Sequence, residues 1–231
     1  MATLESHKRV NDILLGPLER PVLRWLAAHM PAWINPDILT GIGVVGAVIT
    51  FFGYVLSFFD RNFLWLASLG FVINWFGDSL DGTLARYRNI QRPIYGFYVD
   101  HSVDAFSIMV VFTGMGLSPY ISFGIACMAL VGYLLMVILV CLDTCVRGEF
   151  KISYSKIGPT EMRVIAILLN TAMYFFGFPS LQIASFKIMI FDIFIFGIAA
   201  GLIGLFISSS IQQARRLSKI DRGPTELSPA D

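Results

Sequence analysis

Four aspartates fall into two pairs: Asp78 and Asp81 are three residues apart, and Asp100 and Asp104 are four apart. Residues at those spacings share one face of a helix. Each pair therefore forms an acidic stripe, and an antiparallel helix hairpin can bring the two stripes together. Four carboxylates converging in a low dielectric cannot all remain ionised unless cations neutralise them. All-oxygen ligation suits hard ions such as Mg²⁺ or Mn²⁺, which keep waters and also bind substrate phosphates. Gly82 and Ala85 leave room for a ligand to approach the backbone, and Arg86, one turn from Gly82, can hold a phosphate by forked hydrogen bonds. The competing reading is a set of interface charges neutralised by Arg86, Arg88 and Arg92, which would need neither the paired spacing nor the small residues between. An EF-hand loop is excluded because its spacing of oxygen ligands is absent.

The elements that must position these residues belong to a membrane protein. Of 231 residues, 56% are hydrophobic and 14% charged, where a soluble domain carries about a quarter charged. The net charge of +1 gives no global attraction to nucleic acid. Cys127, Cys141 and Cys145 fit neither a disulfide framework nor a zinc site. Uncharged stretches run from Ile38 to Phe59, Phe63 to Gly77, Ala105 to Leu142, Val164 to Phe186 and Ile193 to Ala214. Ser118-Pro119 divides the third, which is too long for one span. The second becomes a full span only if its helix continues through Asp78 and Asp81 towards Arg86. An all-α bundle of six transmembrane helices over 38–214 follows.

Lys and Arg set its orientation. Fifteen of them fall in the N-terminal segment, the second and fourth loops and the C-terminal tail, against two in the remaining loops. Both termini and the acidic stripes are therefore expected on the cytoplasmic side. Before the bundle, in a cytoplasmic segment covering 1–37, Leu14, Leu18, Val22, Trp25 and Leu26 recur at helical spacing. They predict an amphipathic interfacial helix over residues 10–30, bent at Pro17 and Pro21. The segment 215–231 is a cytoplasmic tail, expected to be disordered beyond Lys219.

Taken in order, Asp78, Asp81-Gly82, Ala85-Arg86, Gly96, Asp100 and Asp104 resemble the signature of the CDP-alcohol phosphotransferase family, with eight fixed positions across 27 residues. The resemblance implies transfer of a substituted phosphate from a CDP-linked donor to an alcohol or lipid acceptor, with release of CMP, in phospholipid biosynthesis. It implies Asp78, Asp81 and Asp100 as the main metal ligands, with Asp104 near the metals and acting as the base that deprotonates the acceptor. It puts Gly82, Ala85 and Arg86 at the CDP moiety, and implies a homodimer whose active site opens to the cytoplasm. Two Mg²⁺ or Mn²⁺ ions about 4 Å apart can clamp a pyrophosphate and orient in-line attack. The stretch Tyr95 to His101 also resembles the choline/ethanolamine branch, where His follows the third Asp.

Other features carry less. Arg147, Lys151, Lys156 and Arg163 gather around the fourth loop and read either as a pocket for an anionic acceptor or headgroup, or as orienting charge. Within the pocket reading, Arg163 is the preferred residue. Gly41, Gly43 and Gly46 spell a dinucleotide fingerprint but lie inside an apolar span with no preceding strand. Close helix packing is their expected use, as for Gly197 and Gly201. Thr40 reads as a helix-start residue rather than a nucleotide contact. Asn74 lies one turn before Asp78, Asp143 is expected to pair with Arg147, and Asp192 with Lys187. A membrane prenyltransferase, which also binds pyrophosphate through aspartate-held Mg²⁺, is disfavoured because Asp81 and Asp100 are only 19 residues apart. A cation transporter has little need of Gly82, Ala85 and Arg86 beside its carboxylates. The identity of donor and acceptor stays open.

Overall fold

A computed structural model describes residues 14–147, 158–177, 180–183 and 186–221. Seven helices occur among the described residues: α1 (Gly16–His29), α2 (Pro36–Leu56), α3 (Phe63–Tyr87), α4 (Pro93–Gly116), α5 (Phe123–Arg147), α6 (Pro159–Phe176) and α7 (Ile190–Asp221). Between α6 and α7 lies a short antiparallel hairpin, β1 (Ser180–Ile183) with β2 (Phe186–Met189), in which Ser180 faces Met189. Among the described residues, four helical segments are long and apolar enough to cross a membrane: Pro36–Leu56, Phe63–Tyr87, Phe123–Val146 and Ile190–Ser218.

Local chemistry explains most boundaries. Asn35 caps α2 by accepting the Ile38 N–H at 2.8 Å, with Pro36 as the first helical residue. Helix α3 continues through Asp78 and Asp81, as the span length required, and stops at Arg88 before the left-handed Asn89 (φ 55°). Pro93 opens α4, and the expected break at Ser118-Pro119 falls between α4 and α5. Some boundaries differ from those the sequence predicts. The span expected to reach Phe186 ends at Phe176, because Gly177 adopts φ 69° and terminates α6. Pro17 lies in the first turn of α1, where its missing N–H is harmless, so it starts the helix instead of bending it. At the other end, α7 runs on to Asp221, past Ala214 and through residues assigned to the tail; residues 222–231 lie outside the described set.

Helices inside a bilayer gain little from the hydrophobic effect and pack through close contact and hydrogen bonds. Helices α2 and α3 do this at backbone range. A Cβ on Gly46 would lie 2.3 Å from the Asn74 nitrogen, and one on Gly77 would lie 2.3 Å from the Gly43 nitrogen. No side chain fits at either place. Gly41, Gly197 and Gly201, expected to pack the same way, meet nothing within 4 Å. Deeper in the bundle, the buried Tyr54 hydroxyl of α2 donates to Asn170 Oδ1 of α6 at 2.8 Å, and Asn170 Nδ2 donates to Ser68 Oγ of α3 at 3.2 Å. Around them Leu64, Phe71, Met115, Ile121, Met173 and Ile195 form the main core, while Leu23 and Ala27 of α1 pack with Leu39, Leu80 and Leu84 in a second cluster.

The backbone contact between α2 and α3 yields a paired prediction. Gly77→Ala should lower the unfolding free energy in micelles by about 2 kcal/mol or more through overpacking, whereas Gly201→Ala should change it by less than about 0.5 kcal/mol. Equal effects of the two in a thermal or SDS titration would contradict the packing described.

Candidate active site

The end of α3, the start of α4, the start of α2 and the start of α6 meet at one end of the bundle. Helices α3 and α4 both pack against α2, and this brings one residue of the first acidic stripe to the second: oxygens of Asp78, Asp100 and Asp104 lie within 4.8 Å of one another. Asp81 stands outside that trio, although it feels the charges of Asp78 and Asp100. Its Oδ2 accepts the Thr40 hydroxyl at 2.7 Å, so Thr40 bridges α2 to the site while Asn35 supplies the cap.

The Arg163 guanidinium enters the cluster. Arg163, in the first turns of α6, donates through Nη2 to Asp78 Oδ2 at 2.6 Å and through Nε to Asn74 Oδ1 at 2.9 Å. Asn74 in turn donates to the Gly43 carbonyl at 2.8 Å, at the level where α2 and α3 touch. Both members of the Arg163–Asp78 pair are largely buried, with side chains 13% and 21% exposed. The cations expected to neutralise the carboxylates in the competing reading are engaged elsewhere in part. Arg88 donates to the carbonyls of Met30, Pro31 and Ile34, which fixes the α1–α2 linker, and Arg92 pairs with Asp37.

The donor set fits a hard divalent ion. Three carboxylates offer oxygen ligands at one point, and Arg163 carries a single positive charge against them. Gly82 faces Arg86: a Cβ there would lie 3.3 Å from Arg86 Nη1, and Arg86 Nη2 also donates to the Thr83 hydroxyl at 3.2 Å. Ala85 is half-buried and Arg86 exposed. His101 stacks on Phe97 and places Nδ1 3.8 Å from Asp100 Oδ2.

Beside the carboxylates lies a cavity of about 120 Å³ lined by Asn74, Asp104, Tyr133 and Arg163 and, further along, by Met115 and Leu169. Eleven residues of α4 separate Asp104 from Met115, about 16 Å along the helix axis, so the cavity connects the acidic cluster to the apolar core. The Nη1 of Arg163, one of the lining residues, is buried and has no hydrogen-bond partner among the described residues.

Two distant expectations involve partners whose side chains lie outside the described residues. Asp192 accepts both the N–H (2.7 Å) and the hydroxyl (2.5 Å) of Ser122. Asp143 accepts from Gln213 of α7. The side chains of Arg147 and Lys187, and all of Lys151 and Lys156, lie outside the described residues. Sequence reasoning missed Tyr133, a single polar residue in the long apolar run of α5 with no periodic signal. It also missed Glu19 and Glu161, whose partners are distant in sequence. Glu161 alone left a trace, as the third residue of a helix opened by Gly158-Pro159.

Comparison with known proteins adds to the geometry. The family model for CDP-alcohol phosphatidyltransferase matches residues 33–203. The chain is 26% identical over 216 residues to cholinephosphotransferase 1 of Danio rerio, covering 87% of this chain and 55% of that protein. It is 28% identical over 221 residues to cholinephosphotransferase 1 of Rattus norvegicus, covering 87% and 52%. Phosphatidylinositol phosphate synthase of Cutibacterium acnes is 33% identical over 90 residues, 39% of this chain and 41% of that protein. The chain spans about half the length of the curated relatives it matches.

Removing the guanidinium should unbalance this end of the bundle. Arg163→Met leaves the Asp78 carboxylate without its partner and should cost about 3 kcal/mol in unfolding free energy. Arg163→Lys, whose single ammonium lacks the planar fork that reaches both Asp78 and Asn74, should fall between. A thermal midpoint for Arg163→Met equal to that of the wild type would contradict this role.

Proposed function

The chain belongs to the CDP-alcohol phosphatidyltransferase family, and from that premise we propose that it is a six-pass membrane transferase, working as a homodimer in phospholipid biosynthesis. It would move a substituted phosphate from a CDP-linked donor to an alcohol and release CMP. The observation that carries this reading is the convergence of Asp78, Asp100 and Asp104 beside Arg163 at the mouth of an apolar cavity.

In this reading α4 and α6, which carry Asp100, Asp104 and Arg163, also cross the membrane, as the third and fifth of six spans. The positive charge bias puts both termini and the acidic end in the cytoplasm, where cytidine nucleotides are found. Asp78, Asp81, Asp100 and Asp104 hold one or two Mg²⁺ or Mn²⁺ ions, with Asp81 oriented by Thr40. A divalent ion bound there supplies counter-charge for the donor pyrophosphate and the departing CMP. Gly82 and Ala85 let the CDP moiety approach the backbone of α3, and Arg86 binds its phosphate at the exposed rim. Asp104 lines the cavity and accepts the proton of the acceptor hydroxyl.

The acceptor side favours a lipid alcohol. The cavity extends from Asp104 towards Met115 among apolar side chains, which suits a hydrocarbon chain. Arg163, the centre of the expected anionic pocket with Arg147 and Lys156, spends one nitrogen on Asp78 and another on Asn74. Its remaining Nη1 suits one neutral oxygen near the reacting hydroxyl better than a whole phosphate. A CDP-amino alcohol is then the matching donor, in line with the two cholinephosphotransferase relatives. Phosphatidylinositol phosphate synthase supports the second arrangement, CDP-diacylglycerol with a polar acceptor.

Release of radiolabelled CMP by the purified protein, with Mg²⁺ or Mn²⁺ and a panel of donors and acceptors, tests the reading. Turnover should require the metal, and Asp78→Asn or Asp100→Asn should reduce it below about one-hundredth of wild type. Ala166→Leu, which narrows the cavity, should raise KM for a diacylglycerol acceptor by about 10-fold and leave that for the CDP donor unchanged. CMP release undiminished by the aspartate substitutions would refute the assignment.

A further inference from the structure

We propose that Glu19 and Glu161 are positioning residues that bracket α1 against the middle of α3 and the start of α6 and thereby fix how Arg163 meets Asp78. The inference rests on the transferase reading above for its consequence at the metal site.

Glu161 is 6% exposed, and a carboxylate at that depth needs hydrogen bonds to be tolerated. One oxygen, Oε2, accepts the Gly158 N–H at the start of its own helix at 2.9 Å. The other, Oε1, accepts the Leu15 N–H at 2.8 Å, at the entrance to α1 and 146 residues away. Glu19, one turn into α1, uses a single oxygen for two other helices: Oε1 accepts the Trp75 indole N–H of α3 at 2.7 Å and the Thr160 hydroxyl of α6 at 2.9 Å.

The placement of those two donors carries the argument. Trp75 stands three residues before Asp78, and Thr160 three residues before Arg163. A spacing of three keeps residues on one helix face, about 4.5 Å apart along the axis. The Glu19 bracket therefore grips α3 and α6 one turn away from the two ends of the Asp78–Arg163 pair, and holds the two helices in register there. Simple docking of α1 does not need it, because Leu23 and Ala27 already pack on Leu39, Leu80 and Leu84. Two partly or fully buried carboxylates are a costly way to attach a helix, but they are directional and so set a register that apolar contacts leave loose.

The test uses the full chain in nanodiscs, comparing wild type with Glu19→Ala, Glu19→Gln and Thr160→Val. Mn²⁺ affinity is read from the loss of the free-ion EPR signal, and the firmness of the α6 start from hydrogen exchange of a peptide covering residues 162–170. Glu19→Ala should weaken Mn²⁺ binding by about 10-fold and accelerate exchange, while Glu19→Gln, which keeps the accepting oxygen, restores both. Thr160→Val should shift both in the same direction by less, and it decides the matter if Glu19→Ala does not fold. Wild-type affinity and exchange in a folded Glu19→Ala protein, or equal losses in the Ala and Gln variants, would overturn the proposal. Should the wild type take up no Mn²⁺, the metal reading fails by itself; faster exchange in Glu19→Ala, reversed by Gln, would still support the bracket, and unchanged exchange would overturn it.

Discussion

Holding oxygens of Asp78, Asp100 and Asp104 within 4.8 Å of one another works against the natural tendency of like charges to separate. At about 4 Å and an effective dielectric of 20, each ionised pair repels by about 4 kcal/mol. Arg163 answers part of that, and Asn74 steers its guanidinium onto Asp78. Other contacts at this end of the bundle act as enforcement. Thr40 ties Asp81 to α2, Arg88 ties the α1–α2 linker to the end of α3, and Glu19 and Glu161 tie α1 to α6. We read that concentration of negative charge as a place for cations, in keeping with the transfer chemistry proposed above.

The scaffold that permits this is a pair of helices in backbone contact. Gly46 and Gly77 bring α2 and α3 so close that Asn74 reaches the Gly43 carbonyl and Thr40 reaches Asp81. Larger residues would move the start of α2 away from the carboxylates it helps orient. The apolar exterior, with Phe52, Trp65, Leu69 and Val72 exposed, faces the environment such helices are suited to. The polar interior is confined to short networks such as Tyr54–Asn170–Ser68. Polar groups are thus concentrated where helices must be held or where chemistry is proposed.

Much of this was legible in the sequence because it is local. Spacings of three and four put the aspartates on common faces, and the need for about 20 residues per span carried α3 through Asp78 and Asp81. Ser118-Pro119 marked the turn between α4 and α5. What stayed hidden was which faces meet. Arg163 lies 85 residues from Asp78 and Glu161 lies 146 from Leu15, and no periodicity encodes such partners. The glycines divide for the same reason: Gly43 and Gly46 face another backbone, whereas Gly41, Gly197 and Gly201 face nothing within 4 Å. Likewise Thr40 read as a helix-start residue, yet Asn35 caps α2 and the Thr40 hydroxyl reaches Asp81.

The central claim is that the acidic trio holds a divalent ion, and an anomalous difference map from crystals soaked in Mn²⁺ tests it most directly. The account predicts a strong manganese peak bounded by Asp78, Asp100 and Asp104, with Arg163 still on the outer oxygen of Asp78. A map without a peak among those carboxylates, their oxygens turned to separate partners, would contradict it.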